Sequence, residues 1–436
     1  MADHARSDNP LVQAQLDRFA QLSPGRDILG LERITALLTI LDDPHLQLPP
    51  VFHVAGTNGK GSTCAFLRAA VESAGLTAHV YTSPHLVRFN ERFRIAGQLI
   101  GDDQLAPTLA EVLDATEAAG IAPSFFEATT AAMFLAFART PADVAIIEVG
   151  LGGRLDATNV IPAPAVCGIA QLGVDHQAFL GDDAVTIAGE KAGIAKPGVP
   201  LVTMAYEPQS AHRVGAVAAQ AGAVWHPKGS DWDGVTYNGQ LHYRDQATKL
   251  STPLPRMAGA YQADNAMLAI AMLRHQHAVA IPEAAIKAAI GWAHWPARMQ
   301  KLASGPLTSR LPPGSSLWID GCHNPAGAVA AAEHFKEHTA PGGAFHIICG
   351  ILANKDADGI LSAFLPLGPV LHPIIVPGHE SHSPGALADW ARGHGLTAQP
   401  AETLESAIAA CTGTILLMGS LYLAAEALRL NNEIPT

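Results

Sequence analysis

Cysteine is scarce in this sequence: five residues, Cys64, Cys167, Cys322, Cys349 and Cys411, are scattered over 436 without Cys-x-x-Cys spacing. An odd, dispersed set suggests neither a disulfide framework nor a zinc site, and a reducing compartment fits it best. Basic runs are also missing. With a formal net charge of -12 and no block of Lys and Arg long enough to follow a phosphate backbone, no nucleic-acid partner is expected. Long apolar runs are absent too. The most apolar stretch, Thr414 to Ala425, is broken by Gly419 and Ser420 and falls short of the roughly 20 residues that span a bilayer, so no membrane association is expected. The stretch Met1 to Pro10 is polar and mixed in charge, without the apolar segment of a secretory signal, and a cytoplasmic location is the expectation.

Charged residues make up only 15% and hydrophobic residues 48%, enough apolar material for a substantial core and too much for a disordered chain. At about 100 to 200 residues per domain, this length divides into two or three domains. An acidic chain that binds anions must do so with backbone N–H donors and single cations, which directs attention to glycine-rich loops.

Short Val- and Ile-rich runs alternate with Ala- and Leu-rich segments of helical spacing, the pattern of a parallel sheet covered by helices. Strands are predicted at Val51 to Ala55, His79 to Thr82, Val144 to Val149, Val166 to Leu172 and Val199 to Met204, with helices such as Thr129 to Arg139 between them. Trp225 to Leu254 reads as a small antiparallel excursion and Gln262 to Ala278 as a helix. The segment Trp292 to Arg298, with Pro296, reads as a linker. Beyond it, strands are predicted at Leu317 to Asp320, Ala344 to Cys349, Val370 to Val376 and Thr414 to Met418, with helices at Ala326 to Phe335 and Leu421 to Leu428. The fold class is therefore α/β: an N-terminal P-loop ATPase-like domain with a mostly parallel sheet, residues 1–296, and a smaller C-terminal Rossmann-like α/β domain, residues 297–436.

The strongest local signal is Gly56-Thr57-Asn58-Gly59-Lys60-Gly61-Ser62, lying between a strand and a helix. There, backbone N–H groups and the helix dipole can hold the phosphates of ATP. Lys60 would reach the terminal phosphates and Ser62 a magnesium ion. The loop is a variant, because its first glycine stands too close to the lysine for the literal eight-residue pattern. Glu148 ends an apolar strand, where it either faces water or, if buried, needs a metal to offset the cost of its charge. His176, in Asp175-His176, follows another strand end and is either structural or a ligand. By default, Lys191 reads as a solvated helix lysine and Ser83 as a cap or turn residue. Asp320-Gly321-Cys322-His323-Asn324-Pro325 sits at a strand-to-helix turn. An N-cap by Asn324 explains part of it and leaves Asp320 and His323 for binding.

Taken together, these residues resemble the folylpolyglutamate synthase and dihydrofolate synthase family, relatives of the Mur ligases, over nearly the whole chain. The matching signatures also include Gly30-Leu31-Glu32-Arg33, Ser83-Pro84-His85-Leu86, Glu148 through Asn159, Glu190-Lys191-Ala192-Gly193, Tyr261-Gln262 with Asn265, and Arg298. Lys60-Gly61-Ser62 looks like the folate enzymes, whereas Mur ligases usually carry Thr-Thr after the lysine. The resemblance implies a magnesium site of Ser62, Ser83, Glu148 and His176, and a carbamylated Lys191. Lys60, His176 and Lys191 are its catalytic residues. Asn265, Arg298, Asp320 and His323 join the loop as nucleotide contacts, and the pterin-side contacts are Ser124, Phe125, Phe126, Leu155, Asp156 and Ala157. On this likeness residues 1–296 bind ATP and pterin, and residues 297–436 form the glutamate-ligase domain.

The implied reaction joins L-glutamate to dihydropteroate or a reduced folate through an acyl phosphate, by a monomer whose second domain closes by a hinge near Trp295 to Arg298. A Mur-type ligase and a P-loop phosphotransferase or ATPase stand as alternatives. Two departures are visible: Ala297 replaces the family's usual glycine before the arginine, and Cys322 replaces its usual alanine. They bear on backbone geometry near Arg298.

Overall fold

The computed structural model describes residues 5–22, 29–338 and 344–436. Met1 to His4, part of the polar stretch discussed above, lie outside the described residues. The chain divides into two compact units, one of Met1–Arg256 with Gln262–His294, the other of Met257–Tyr261 with Trp295–Thr436.

The first unit is built on eight strands: β1 Val51–Ala55, β2 Ala78–Tyr81, β3 Phe93–Ile95, β4 Gln98–Leu99, β5 Val144–Glu148, β6 Val166–Ile169, β7 Pro200–Thr203 and β8 Val224–Pro227. Their order is β4-β3-β2-β5-β1-β6-β7-β8. Six of them run parallel, and β3 and β4 form an antiparallel edge. β1 is wholly buried, as its Val, Phe and Ala content suits in a strand covered on both faces. It lies between β5 and β6, with Val54 opposite both Glu148 and Gly168, so the carboxyl ends of three strands meet at one level. Ligands of open α/β sheets bind at such a reversal of strand order.

Helices cover both faces. Phe125–Ala138 packs with Ala145 and Ile147 in one aliphatic cluster, while Gly168 leaves room for Met272 of the helix Tyr261–His275 on the opposite side. The antiparallel excursion is shorter than the sequence suggests. It consists of β9 Trp232–Tyr237, β10 Gln240–Asp245 and β11 Lys249–Pro253, because Val224–Pro227 pairs with β7 instead. Asn238 and Gly239 join β9 to β10 with φ of 49° and 70°, the two-residue turn that asparagine-glycine favours.

The second unit holds β12 Gln300–Lys301, β13 Ser316–Ile319, β14 Phe345–Cys349, β15 Val370–Pro373 and β16 Thr414–Met418. Their order is β12-β13-β16-β14-β15, parallel except for β12. Ile347, Cys349, Leu371 and Leu416 pack with Phe335, Ile360 and Leu387 from helices on one face. Among the described residues, no helix is long and apolar enough to cross a membrane.

Candidate active site

The helix Lys60–Ser73 begins one loop after β1, and the loop needs its glycines. Gly56 has φ of 148° and Gly59 of 85°, backbone that side-chain-bearing residues rarely adopt. A Cβ on Gly59 would also collide with Asn265 Oδ1, so the predicted nucleotide contact Asn265 lies directly against the loop. Asn265 is buried and donates from Nδ2 to Gln262 Oε1 at 3.0 Å.

Beyond β6, the Gln171 carbonyl accepts from the N–H groups of Thr57 at 2.8 Å and Asn58 at 3.2 Å, and Thr57 Oγ1 donates to the Gly173 carbonyl at 2.9 Å. These tethers hold the loop open around the first turn of the helix, where Gly61 and Ser62 are buried. Gln171 was not among the residues predicted from sequence, since a backbone carbonyl leaves no mark there.

Lys60 folds over the loop, donating from Nζ to the carbonyls of Gly56 at 3.1 Å and Thr57 at 3.4 Å. Its ammonium lies 3.9 Å from Glu148 Oε1, and Glu148 Oε2 accepts from the Ser83 N–H at 3.4 Å. Glu148 is only 5% exposed, which overturns the water-facing alternative for this residue. Ser83 stands in the turn after β2, beside a cis Ser83–Pro84 bond.

Lys191 is a correction to the solvated reading: it is 4% exposed and donates from Nζ to the Gly56 carbonyl at 3.0 Å. Burial, helped by the positive charge of Lys60, lowers its ammonium to about 7, against a smaller pull from Asp175 and Asp156. The helix Ala184–Ala192 is brought this close by Gly153, where a Cβ would press into the backbone of Glu190 and Lys191.

Thus Gly56, Lys60, Ser83, Glu148 and Lys191 form one connected group. His176 is exposed, with φ of 55°, and its Nε2 lies 4.0 Å from Asp175 Oδ2.

The residues expected on the pterin side are half-buried or buried. Ser124 caps the helix Phe125–Ala138 in a reciprocal box with Glu127, whose carboxylate also pairs with Arg33 at 3.1 Å. This gives the signature arginine a structural partner that the sequence did not disclose. Phe125 is buried edge-on against Phe19 and Phe89, so it contributes packing, whereas Phe126 is half-buried and lies against Gly150. Asp156 is 2% exposed and accepts from the N–H groups of Leu151 at 2.8 Å and Thr158 at 3.0 Å. Burial raises its carboxyl against those bonds. His53 closes the chain by meeting Thr158 Oγ1 at 2.8 Å. Leu155 is half-buried and Ala157 buried.

In the second unit, Asp320 follows β13 and is buried. Its Oδ2 accepts from the Met299 N–H at 2.7 Å and its Oδ1 from the Cys322 N–H at 2.7 Å. Burial raises this carboxyl, and the Arg298 charge opposes the rise. Gly321 leaves the space beside Arg298 that a Cβ would take, and His323 Nδ1 lies 2.8 Å from the Gly321 carbonyl. Asn324 Oδ1 accepts from the Gly327 N–H at 2.9 Å and caps the helix Pro325–His338. The Arg298 guanidinium therefore lies against the turn that carries Asp320 and His323. Ala297, where the family's usual residue is glycine, has φ of 55°.

A scan against protein-family models finds no match. The folylpolyglutamate synthase of Lacticaseibacillus casei is 34% identical over 423 residues, covering 90% of this chain and 92% of that protein. Among solved structures, Escherichia coli FolC in complex with DHPP and ADP superposes with a TM-score of 0.87 at 29% identity, over 98% of both chains. A bifunctional folylpolyglutamate synthase/dihydrofolate synthase with Mn, AMPPNP and L-glutamate bound gives 0.83 at 30% identity, over 98% of this chain and 99% of that one. With more than nine-tenths of that Lacticaseibacillus casei relative matched at 34% identity, the chain belongs to the folylpolyglutamate synthase/dihydrofolate synthase family.

Proposed function

We propose that this protein is a dihydrofolate synthase/folylpolyglutamate synthase, an ATP-dependent ligase that joins L-glutamate to dihydropteroate and to reduced folates, with release of ADP and phosphate. The observation that carries this reading is the convergence of Gly56, Lys60, Glu148 and Lys191 at the ends of β1 and β5, with Ser62 in the first turn behind them.

A carboxylate is a poor acylating agent. Its oxygen attacks the γ-phosphorus of ATP, the bond to the bridging oxygen breaks with loss of ADP, and the glutamate amine then displaces phosphate from the acyl phosphate. Lys60 neutralises charge on the transferred phosphoryl group, and the loop N–H groups hold the phosphates in line.

Ser62, Ser83, Glu148 and His176 offer hydroxyl, carboxylate and imidazole donors, a set rich in hard oxygens that fits Mg2+. When bound, the ion supplies further positive charge to the phosphates. The Lys191 amine, lowered to about 7, is substantially neutral near physiological pH. A neutral amine adds carbon dioxide and loses a proton to give a carbamate, turning a cationic side chain into an anionic one that can face the metal. Phe126 and Asp156 would receive the pterin, and Arg298 with the turn of Asp320 and His323 would receive part of the nucleotide. The five cysteines are all free and buried, which supports a cytoplasmic working place. Family likeness supports action as a monomer.

The test is amide formation with labelled glutamate and MgATP, offering dihydropteroate and tetrahydrofolate in separate reactions and following products by mass. Labelled product from both substrates is the expected result. ATP hydrolysis without any amide would sink the ligase reading.

A further inference from the structure

The second unit carries a cluster of nitrogen and sulfur donors that the ligase chemistry does not use. It consists of His346 on β14, His372 on β15, and Cys411 just past the helix Leu404–Ala409. Strand register brings the two histidines together. His372 pairs with Ile348 across the parallel ladder, and His346 lies two residues before Ile348, so both imidazoles project from one face of the sheet. The opposite face of the same strands is aliphatic core, with Ile347, Cys349 and Leu371. His346 Nδ1 and His372 Nε2 are 2.9 Å apart, and the Cys411 sulfur completes a triangle whose donor atoms all lie within 4.8 Å of one another. Exposure is 8% for His346, 1% for His372 and 0% for Cys411.

The two imidazoles share a hydrogen bond, which a metal ion would replace. The neutral imidazole ring is the form that ligates metals. The Cys411 thiol donates to the carbonyl of Ala407, in the helix just before it, at 3.1 Å. Two imidazole nitrogens and a thiolate are the borderline-soft donors that select zinc, in contrast to the hydroxyl and carboxylate oxygens predicted to hold magnesium in the first unit. Bonds of about 2.0 Å to nitrogen and about 2.3 Å to sulfur put tetrahedral donors roughly 3.3 to 3.6 Å apart, so the two imidazole nitrogens, now 2.9 Å apart, would separate by a few tenths of an ångström to take the ion.

We propose that His346, His372 and Cys411 form a three-donor site for one divalent transition-metal ion, Zn2+ foremost, with water in the fourth position, which ties the edge strand β15 to β14 and to the segment after Leu404–Ala409. Binding is heterolytic: the thiol S–H bond breaks, the sulfur pair goes to the metal and the proton to solvent, without oxidation or reduction. The odd cysteine count and the absence of Cys-x-x-Cys concealed the site, because its ligands come from three separate elements.

The experiment uses the full chain, stripped with a chelator and titrated with Co2+ and then Zn2+. Expected are a thiolate-to-cobalt charge-transfer absorption, one equivalent of Zn2+ per chain that displaces the cobalt, and one proton released per ion. Cys411→Ala, shown by circular dichroism to be folded without metal, should lose the thiolate absorption and bind Zn2+ at least tenfold more weakly. His346→Gln should weaken Zn2+ as well. Cobalt binding without thiolate absorption in the unaltered chain would overturn the proposal without reference to any variant, and so would persistence of that absorption in Cys411→Ala. Metal at a Mg2+-type site in the first unit gives no thiolate absorption and cannot imitate the result.

Discussion

In the loop between β1 and the helix Lys60–Ser73, unusual backbone angles fall on glycines, with φ of 148° at Gly56 and 85° at Gly59. In the segment before β12, which packs on Asp320, they fall on residues with side chains, with φ of 55° at Ala297 and 44° at Met299. The difference lies in what holds each segment. The loop is fixed by carbonyl acceptors and by close packing on Asn265, which only glycine tolerates. The segment before β12 is held by side-chain acceptors: Gln300 Oε1 takes the Ala297 N–H at 2.9 Å and Asp320 takes the Met299 N–H at 2.7 Å. A left-handed alanine costs about 1 to 2 kcal/mol, and two such bonds offset an amount of that order. The glycine is thus dispensable in one place and required in the other.

Gly59→Ala should break the first arrangement most severely. Left-handed strain and collision with Asn265 together cost about 3 kcal/mol, seen as a lower urea midpoint with unchanged slope, and coupling activity should be lost with it. A variant with normal stability and turnover would show that the loop does not need glycine there. Asp320→Asn should break the second arrangement. An asparagine amide presents only one acceptor oxygen, so either the Met299 or the Cys322 N–H is left unpaired, at about 1 to 3 kcal/mol by the same measurement.

The next effect concerns Lys191, whose folded-state pKa of about 7 lies below its ordinary value of 10.5. Between those two values the unfolded chain binds a proton that the folded chain lacks, so stability should rise with pH across that window, by up to about 1.4 kcal/mol per pH unit. Below the folded value both states are protonated and the slope ends. Lys191→Met should flatten the rise, and equal slopes for the two proteins would exclude a neutral buried amine. The smallest effect is Ala297→Gly, which should relieve local strain and raise stability by about 1 kcal/mol or less, with unchanged ATP affinity. A loss instead would mean that the methyl group's packing outweighs the strain.

Much of this was legible in the sequence for a physical reason. β1 runs from Val51 to Ala55 as predicted, because a proline precedes it and a glycine follows it. The glycine loop after β1 was legible because its glycines answer a local backbone demand. The helix Glu283–Trp292 was missed; it is short, follows Pro282 directly, and its last residue, Trp292, was read into the linker. Lys191 could not be placed, since burial of a lysine depends on Gly56 and Gly153, distant in the chain. The bonding of Asp156 was equally hidden: Thr158 is two residues away, but His53, which supports it, comes from another strand.

The position of β1 between two strands that are made later has a consequence for biosynthesis. The motif from Gly56 to Ser62 emerges from the ribosome early, yet the carbonyl that tethers it belongs to Gln171 and the cation that caps its first carbonyl to Lys191. A nascent chain must therefore extend past Lys191 before these partners exist, so ATP cannot serve as an early folding template. Arrested chains should gain nucleotide affinity abruptly once that stretch clears the exit tunnel.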